Sequence, residues 1–149
     1  MSFVSQMPDI QVCVQSSKLA VREALKELLA GLGPLHLDVE EVGTVELVMA
    51  EALNNIVEHA YPAGDPAGPI RIACKHATDG LHLTVTDEGR GMPDGRTPLG
   101  LAANLDVDFC DMPEGGFGWF LIKDLAKEVT YKRIDPQNRL TLRLAVAMA

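Results

Sequence analysis

A carboxylate, an amide and an imidazole recur at four-residue spacing near the middle of the chain. These residues are Glu51, Asn55 and His59, and a helix would place them on one face. A carboxylate can accept a proton, and an amide oxygen one turn away can bind a hard cation such as Mg²⁺. The solvated side of an ordinary helix has a similar composition, so that alternative stays open at this point. For His59, a capping or core-packing role is the favoured interpretation.

The segment Asp-Glu-Gly-Arg-Gly-Met at residues 87–92 follows directly on a predicted strand. Its alternating glycines, Gly89 and Gly91, would let the backbone approach a flat ligand. The Asp87 carboxylate would then accept hydrogen bonds from an exocyclic amine. A tight acidic turn is the alternative, because acidic residues beside glycine are common in turns.

Gly115, Gly116 and Gly118 stand just ahead of a predicted helix. Free N–H groups and the helix dipole favour a phosphate there, although hinge glycines would explain the same pattern. The sequence has no Gly-Lys-Ser/Thr loop and no G-x-G-x-x-G opening a helix, so a nucleotide site would be of another kind. Trp119 follows this segment, and we expect its emission to report closure of a lid; packing in the core is the alternative.

A long helix over residues 39–61 must hold the first group of candidates. Asp38 and Glu41 predict a capping box at its start. Its apolar residues repeat at helical spacing and predict a core face made of Val42, Val45, Met49, Leu53, Ile56 and Ala60.

The other periodicities predict the elements around this helix. Residues 1–8 form a loose tail, and the expected elements are a strand at 10–14, a helix from Ser16 or Ser17, a hairpin around Asp79-Gly80, a helix at 117–127 and a hairpin closing around 135–138. Residues 88–116 show no periodicity, and we expect a lid at about 92–116. The predicted fold is α+β, a single domain over 1–149 with two layers, a mixed, mostly antiparallel sheet and helices on one face.

Composition narrows the function classes. A chain of 149 residues with 47% hydrophobic content supports one domain with a proper core. The formal charge of -8 disfavours direct binding to nucleic acid or anionic membranes. Cys13, Cys74 and Cys110 lack metal-site or disulfide-framework spacing, and no apolar run is long enough to span a membrane, so we predict a cytoplasmic protein.

Three segments in this order resemble the ATP-binding fold shared by DNA gyrase, MutL and histidine kinases, also known as the Bergerat fold. Within that superfamily the chain is most similar to the anti-sigma-factor serine kinases of bacteria. The resemblance rests on ALNNIVEHAY after Glu51, on DEGRGMPD from Asp87 and on EGGFGWFLIKDL from Glu114, and it spans nearly the whole chain.

The resemblance implies a role for each candidate residue. Glu51 would be the general base, Asn55 the Mg²⁺ ligand and Asp87 the residue that binds adenine. The nucleotide would also contact residues of the two glycine segments, namely Gly89, Gly91, Met92, Gly115, Gly116 and Gly118. The implied ligands are ATP and Mg²⁺, and the implied partners are a sigma factor and a small antagonist protein, with a homodimer left open.

Three functions compete on these grounds. The first is a serine kinase that phosphorylates the antagonist and sequesters the sigma factor. The second is a regulatory module that binds ATP without kinase turnover and acts through sequestration alone. The third, a detached histidine kinase domain, is disfavoured because the chain has no helical pair offering a phosphoacceptor histidine.

Overall fold

A computed structural model describes residues 3–91, 116–134 and 136–148 of the protein. In chain order the elements are β1 (Ile10–Gln15), α1 (Lys18–Gly31), α2 (Val39–Asn55), β2 (Pro69–Ala77), β3 (Gly80–Asp87), α3 (Gly116–Leu125), β4 (Lys127–Ile134) and β5 (Gln137–Leu144). Met92, Gly115 and nearly all of the predicted lid lie outside the described residues.

The five described strands form one sheet in the order β1-β2-β3-β5-β4. Every pairing in it is antiparallel, so the expectation of a mixed sheet is wrong in that detail while the α+β class is confirmed. Gly80 closes the β2–β3 hairpin with φ of +119°, a conformation that favours glycine, which explains the strength of the Asp79-Gly80 signal.

Alternate strand residues point into a single core shared with the helices. Ile72, Leu83 and Leu142 on neighbouring strands pack with Leu28 of α1, Leu53 of α2 and Ile122 of α3, and all are buried. Because this alternation buries one face of the sheet, its other face carries the intervening polar side chains.

The start of α2 follows the predicted capping box. The Glu41 N–H donates to Asp38 Oδ1 at 2.8 Å, and the Asp38 N–H donates to Glu41 Oε1 at 3.2 Å. Helix α2 contacts both α1 and α3, which accounts for a buried face broader than one apolar stripe. Val48 and Ala52 are buried along with the predicted Val45, Met49 and Leu53, whereas Val42 is only half-buried.

The end of the predicted long helix is not α-helical. Residues Ile56–Ala60 form a π-helical turn, closed by the Tyr61 N–H donating to the Ile56 carbonyl at 3.0 Å. Such wide turns are rare and occur frequently at functional sites. His59 lies in this turn with its side chain 57% exposed and 3.9 Å from Glu58, so the core-packing interpretation of His59 is wrong.

Other local predictions also need correction. The N-terminal segment is not a loose tail, because Met7 is buried and Ser5 Oγ lies 2.9 Å from His76 Nδ1. Trp119 is only 2% exposed, so the core-packing alternative holds for it. In the part of the chain that the structure describes, no helix has the length and apolarity needed to cross a membrane.

Candidate functional site

Asp87 ends β3 on the core face of the sheet and is only 6% exposed. Its Oδ1 atom accepts hydrogen bonds from the Gly89 N–H at 2.9 Å and from Asn138 Nδ2 at 2.7 Å. Within the described residues Oδ2 accepts none. Burial raises the pKa of this carboxyl above its ordinary value, although both hydrogen bonds and the Arg133 charge oppose that rise. The carboxylate is therefore fixed through Oδ1, and Oδ2 has no donor among the described residues.

Asn138 holds Asp87 in place, and sequence reasoning missed it. Besides Asp87, its Nδ2 atom donates to the carbonyl oxygens of Arg90 at 3.0 Å and Gly89 at 3.3 Å. Its Oδ1 atom accepts from the Tyr131 hydroxyl at 2.7 Å and from Arg133 Nη1 at 3.0 Å. Sequence analysis assigned Asn138 to the turn between the last two strands, but that turn is shorter, and Asn138 lies inside β5, 2% exposed and paired with Asp87 in the sheet register.

The turn after Asp87 packs closely against the π-helical end of the central helix. The Arg90 N–H donates to the Ala60 carbonyl at 2.9 Å, and the Glu88 N–H donates to the Tyr61 hydroxyl at 2.7 Å. A Cβ atom on Gly89 would lie 2.3 Å from that same Ala60 oxygen. The missing side chain of Gly89 thus allows close contact with the π turn. From the sequence, the glycine was predicted to allow the approach of a ligand. Gly91 lies beside Arg133, where a Cβ atom would stand 3.3 Å from Arg133 Cδ.

Asn55, at the last position of α2, is buried at 6% exposure. Its Nδ2 atom donates to the Glu51 backbone carbonyl at 2.8 Å, which fixes the amide orientation. Among the described residues nothing donates to Asn55 Oδ1, so this oxygen is available as a neutral ligand. A neutral amide oxygen without a described donor is the kind of ligand that a hard cation can accept.

Glu51 lies one turn earlier on α2 and is half-buried. Glu51 and Asn55 share one side of the helix, whereas the π turn separates them from the exposed His59. The described residues contain no group of three or more acidic, histidine or cysteine side chains able to hold a metal by themselves. A cation at Asn55 would therefore need ligands from water or a bound phosphate chain.

Gly116 and Gly118 belong to the first turn of α3, which begins one residue before the predicted helix start at Phe117. Helix α3 contacts α2, the helix that carries Glu51 and Asn55. The first-turn N–H groups of a helix lack intrahelical partners and attract anions. The structure places these two glycines in such a turn; Gly115 and Met92 fall outside the described residues.

A cavity of about 490 Å³ opens beside the turn that follows Asp87. Its described lining comes from the π turn, the loop before β2 and the Glu88–Arg90 turn, together with Arg133. Among the predicted site residues, Gly89 belongs to that lining, whereas Glu51, Asn55 and Asp87 do not. Arg90 forms a bidentate ion pair with Asp65 at 2.8 and 2.9 Å, which ties the loop before β2 to the Asp87 turn.

Comparison with known proteins defines the class to which this fold and site belong. Residues 14–144 match the histidine kinase-like ATPase domain, and the chain belongs to that family. The fold class and family predicted from the sequence are confirmed.

Individual relatives within this family carry the names of serine kinases. The chain is 29% identical over 113 residues to the serine-protein kinase RsbW of Staphylococcus epidermidis, covering 74% of this chain and 68% of that protein. It is 35% identical over 100 residues to the serine/threonine-protein kinase BtrW of Bordetella bronchiseptica, covering 66% of this chain and 67% of that protein. The serine kinase function predicted from the sequence is therefore supported by relatives that carry this name.

Solved structures agree on the fold. The RsbU and RsbW domains of Rv1364c from Mycobacterium tuberculosis superpose with a TM-score of 0.65 at 20% identity, over 93% of this chain. This chain spans 32% of that longer protein. A histidine kinase domain from Erythrobacter litoralis EL346 matches 73% of this chain and 46% of its own length, with a TM-score of 0.50 at 22% identity.

Proposed function

We propose that the protein is an ATP-dependent serine kinase that phosphorylates a small antagonist protein and sequesters a sigma factor. The observation that carries the proposal is the buried Asp87 carboxylate, which is fixed through Oδ1 and has no donor at Oδ2 among the described residues. Family membership supports ATP as the nucleotide. The assignment of individual residues is our own proposal.

Asp87 binds the adenine ring in this proposal. Its open oxygen accepts a hydrogen bond from the exocyclic amine of adenine, which guanine lacks at the corresponding position. The Asn138 amide and the Gly89 N–H keep the carboxylate in one orientation before the nucleotide arrives. Because the acceptor is preorganised and buried, binding costs little reordering, and selection for adenine follows.

Asn55 would hold Mg²⁺ through Oδ1, since its Nδ2 atom is bonded to the Glu51 carbonyl. Mg²⁺, when bound, neutralises charge on the phosphates of ATP. The first turn of α3, with Gly116 and Gly118, supplies N–H groups of the kind that bind phosphate. Gly91, Met92 and Gly115 stay predicted contacts of the nucleotide.

Glu51 acts as the general base. Its carboxylate takes the proton of the substrate serine hydroxyl while the serine oxygen attacks the γ-phosphorus. The bond from the γ-phosphorus to the β,γ-bridging oxygen breaks, which gives phosphoserine and ADP. Glu51 lies on the same side of α2 as Asn55 and is half-buried. A substrate serine that arrives from solvent can therefore contact its carboxylate.

The partners are assigned by family resemblance and the kinase names of the relatives. We propose a sigma factor and its small antagonist as protein partners, with homodimerisation left to experiment. The cytoplasmic location stays a prediction from the sequence.

Transfer of label from γ-³²P-ATP to a candidate antagonist tests the kinase proposal. We expect label on serine with the wild-type protein and none with Glu51→Gln, which keeps the side-chain shape but does not accept a proton at neutral pH. Glu46→Gln is the matched control, because Glu46 is exposed on the same helix. Transfer by Glu51→Gln at the wild-type rate would show that the general-base assignment is wrong.

The regulatory module without kinase turnover gives a different outcome in the same experiment. It predicts ATP binding with no label on the antagonist in any variant. Nucleotide binding measured in parallel separates this result from a protein that fails to bind ATP.

A further inference from the structure

The sheet face opposite the helices carries a line of basic side chains. The strand pairings place one residue from each strand in a single transverse row, in the order Cys13, Arg71, Thr86, Arg139 and Lys132. Arg71, Arg139 and Lys132 are all exposed. We call these three residues the cation row.

No described acidic residue compensates the charge of the cation row. Among the described residues, none of its three side chains forms an ion pair or a hydrogen bond. The next row on this face is uncharged and consists of Gln11, Ala73, Thr84, Thr141 and Thr130. Glu88, which follows β3 at the other side of the row, forms no ion pair with a described residue.

Two basic residues farther along the same face, Lys75 and Arg143, are paired, whereas Lys127, the register partner of Arg143, forms no ion pair with a described residue. Lys75 lies 3.7 Å from Asp9, and Arg143 Nη2 lies 3.2 Å from Glu128. Lys75 and Arg143 thus have acidic partners on this face, whereas the cation row has none among the described residues.

The open row is unfavourable for the isolated protein. Arg139 and Lys132 are direct cross-strand partners, and like charges in that position destabilise a sheet. The chain has 21 acidic and 13 basic residues, yet no described carboxylate pairs with the row. An anionic partner would relieve the repulsion.

We propose that the cation row is the docking surface for an acidic helix of a partner protein. The net charge of -8 repels long polyanions such as nucleic acid and anionic membranes. A short acidic segment is attracted by the cation row, because charges in solution interact over a Debye length of only about 10 Å. Arg71 and Arg139 stand two strands apart, about 10 Å at roughly 4.8 Å per strand. Carboxylates two helical turns apart, about 11 Å, match that separation.

The test is an NMR titration of the ¹⁵N-labelled protein with an alanine-based helical peptide that carries glutamates on one face. We expect saturable shifts at the backbone amides of the cation row and weaker binding as salt rises. A peptide with glutamine in place of glutamate should leave these amides unshifted. The triple substitution Arg71→Gln, Lys132→Gln and Arg139→Gln should weaken binding by about tenfold, since each exposed ion pair contributes modestly.

The matched control changes the same charge on the helical layer. Lys18→Gln, Arg22→Gln and Lys26→Gln alter exposed positions of α1, and this variant should keep its affinity within about twofold. Thermal unfolding of both triple variants checks that each is folded.

Three results would overturn the proposal. The first is the absence of shifts at the cation row, and the second is unchanged affinity in the folded cation-row variant. The third is tighter binding of a single-stranded oligonucleotide or of phosphatidylserine vesicles at the same amides, which would assign the row to another class of partner.

Discussion

At the scale of single residues, Asn138 forms more side-chain hydrogen bonds in the candidate site than any described residue that was predicted from the sequence. It joins Asp87, the Gly89 and Arg90 carbonyls and the Tyr131 hydroxyl through one buried side chain. The adenine-binding carboxylate that we propose therefore depends on a residue of the last strand.

We expect Asn138→Ala to lower the free energy of unfolding by about 2 to 4 kcal/mol, because several buried polar atoms lose their partner. Nucleotide affinity should fall as well, since Asp87 loses its anchor. Urea denaturation measures the first effect, and Gln137→Ala on the neighbouring, half-buried residue is the control. Wild-type stability in Asn138→Ala would show that the network contributes little.

Asp87 illustrates a conflict between binding and stability. Burial raises its pKa above the ordinary value of 3.8, so the folded protein disfavours the charged form. A raised carboxyl pKa contributes stability that is present below 3.8 and is lost as the pH rises through the folded-state pKa. At neutral pH the charged side chain is therefore a cost to folding.

We expect Asp87→Asn to be at least as stable as the wild type at pH 7, with its advantage shrinking as the pH falls toward 3.8. Chemical denaturation over this pH range measures the difference. A variant that is clearly less stable at pH 7 would mean that the hydrogen bonds to the carboxylate outweigh its burial.

At the scale of elements, the contact between the π turn and the Asp87 turn positions the two halves of the candidate site. Gly89 permits this contact, because any Cβ atom would collide with the Ala60 carbonyl. Gly43 of α2 offers a contrast, since a Cβ atom there would meet nothing within 4 Å.

Gly89→Ala should destabilise the protein by about 1 to 3 kcal/mol through overpacking. Gly43→Ala should stabilise it by about 0.5 to 1 kcal/mol, because alanine is the better helix former. Thermal unfolding of the two variants side by side checks both signs. Equal effects of the two substitutions would contradict the close packing of the Asp87 turn.

Elements with strong local signals were predictable from the sequence. The capping box of Asp38 and Glu41 and the Asp79-Gly80 hairpin rest on contacts between near neighbours, and the structure shows both. The π turn and the burial of Asn138 depend on packing between distant segments, which local patterns do not encode. Asp-Pro-Gln-Asn has the composition of a turn, and this concealed the inward position of its asparagine.

At the scale of the whole molecule, the two ends of the chain meet at His76. Its ring nitrogens lie 2.9 Å from Ser5 Oγ and 2.7 Å from the Ala147 carbonyl oxygen. The Ala147 N–H also donates to Glu41 Oε2 at 2.8 Å, which ties the C-terminal segment to the start of α2. This closure was not predictable from the sequence, because the N-terminal segment shows no periodicity.

We expect Met7→Ala to lower the free energy of unfolding by about 2 kcal/mol or more, because Met7 is 5% exposed and packs in the core. Val4→Ala, at a residue that is 81% exposed, should change it by less than about 0.5 kcal/mol. Denaturant titration distinguishes the two. Equal stability of both variants would show that the N-terminal segment contributes no packing and behaves as a loose tail.

Calorimetric titration with Mg-ATP tests the central claim most directly, that Asp87 forms the adenine site of this ATPase domain. Asp87→Asn should weaken binding about ten- to a hundredfold, because a charge-assisted hydrogen bond contributes about 1.5 to 3 kcal/mol. Asp9→Asn, an exposed aspartate beside Lys75, is the control and should bind like the wild type. Unchanged affinity in a folded Asp87→Asn variant would contradict the account and remove Asp87 from the nucleotide site.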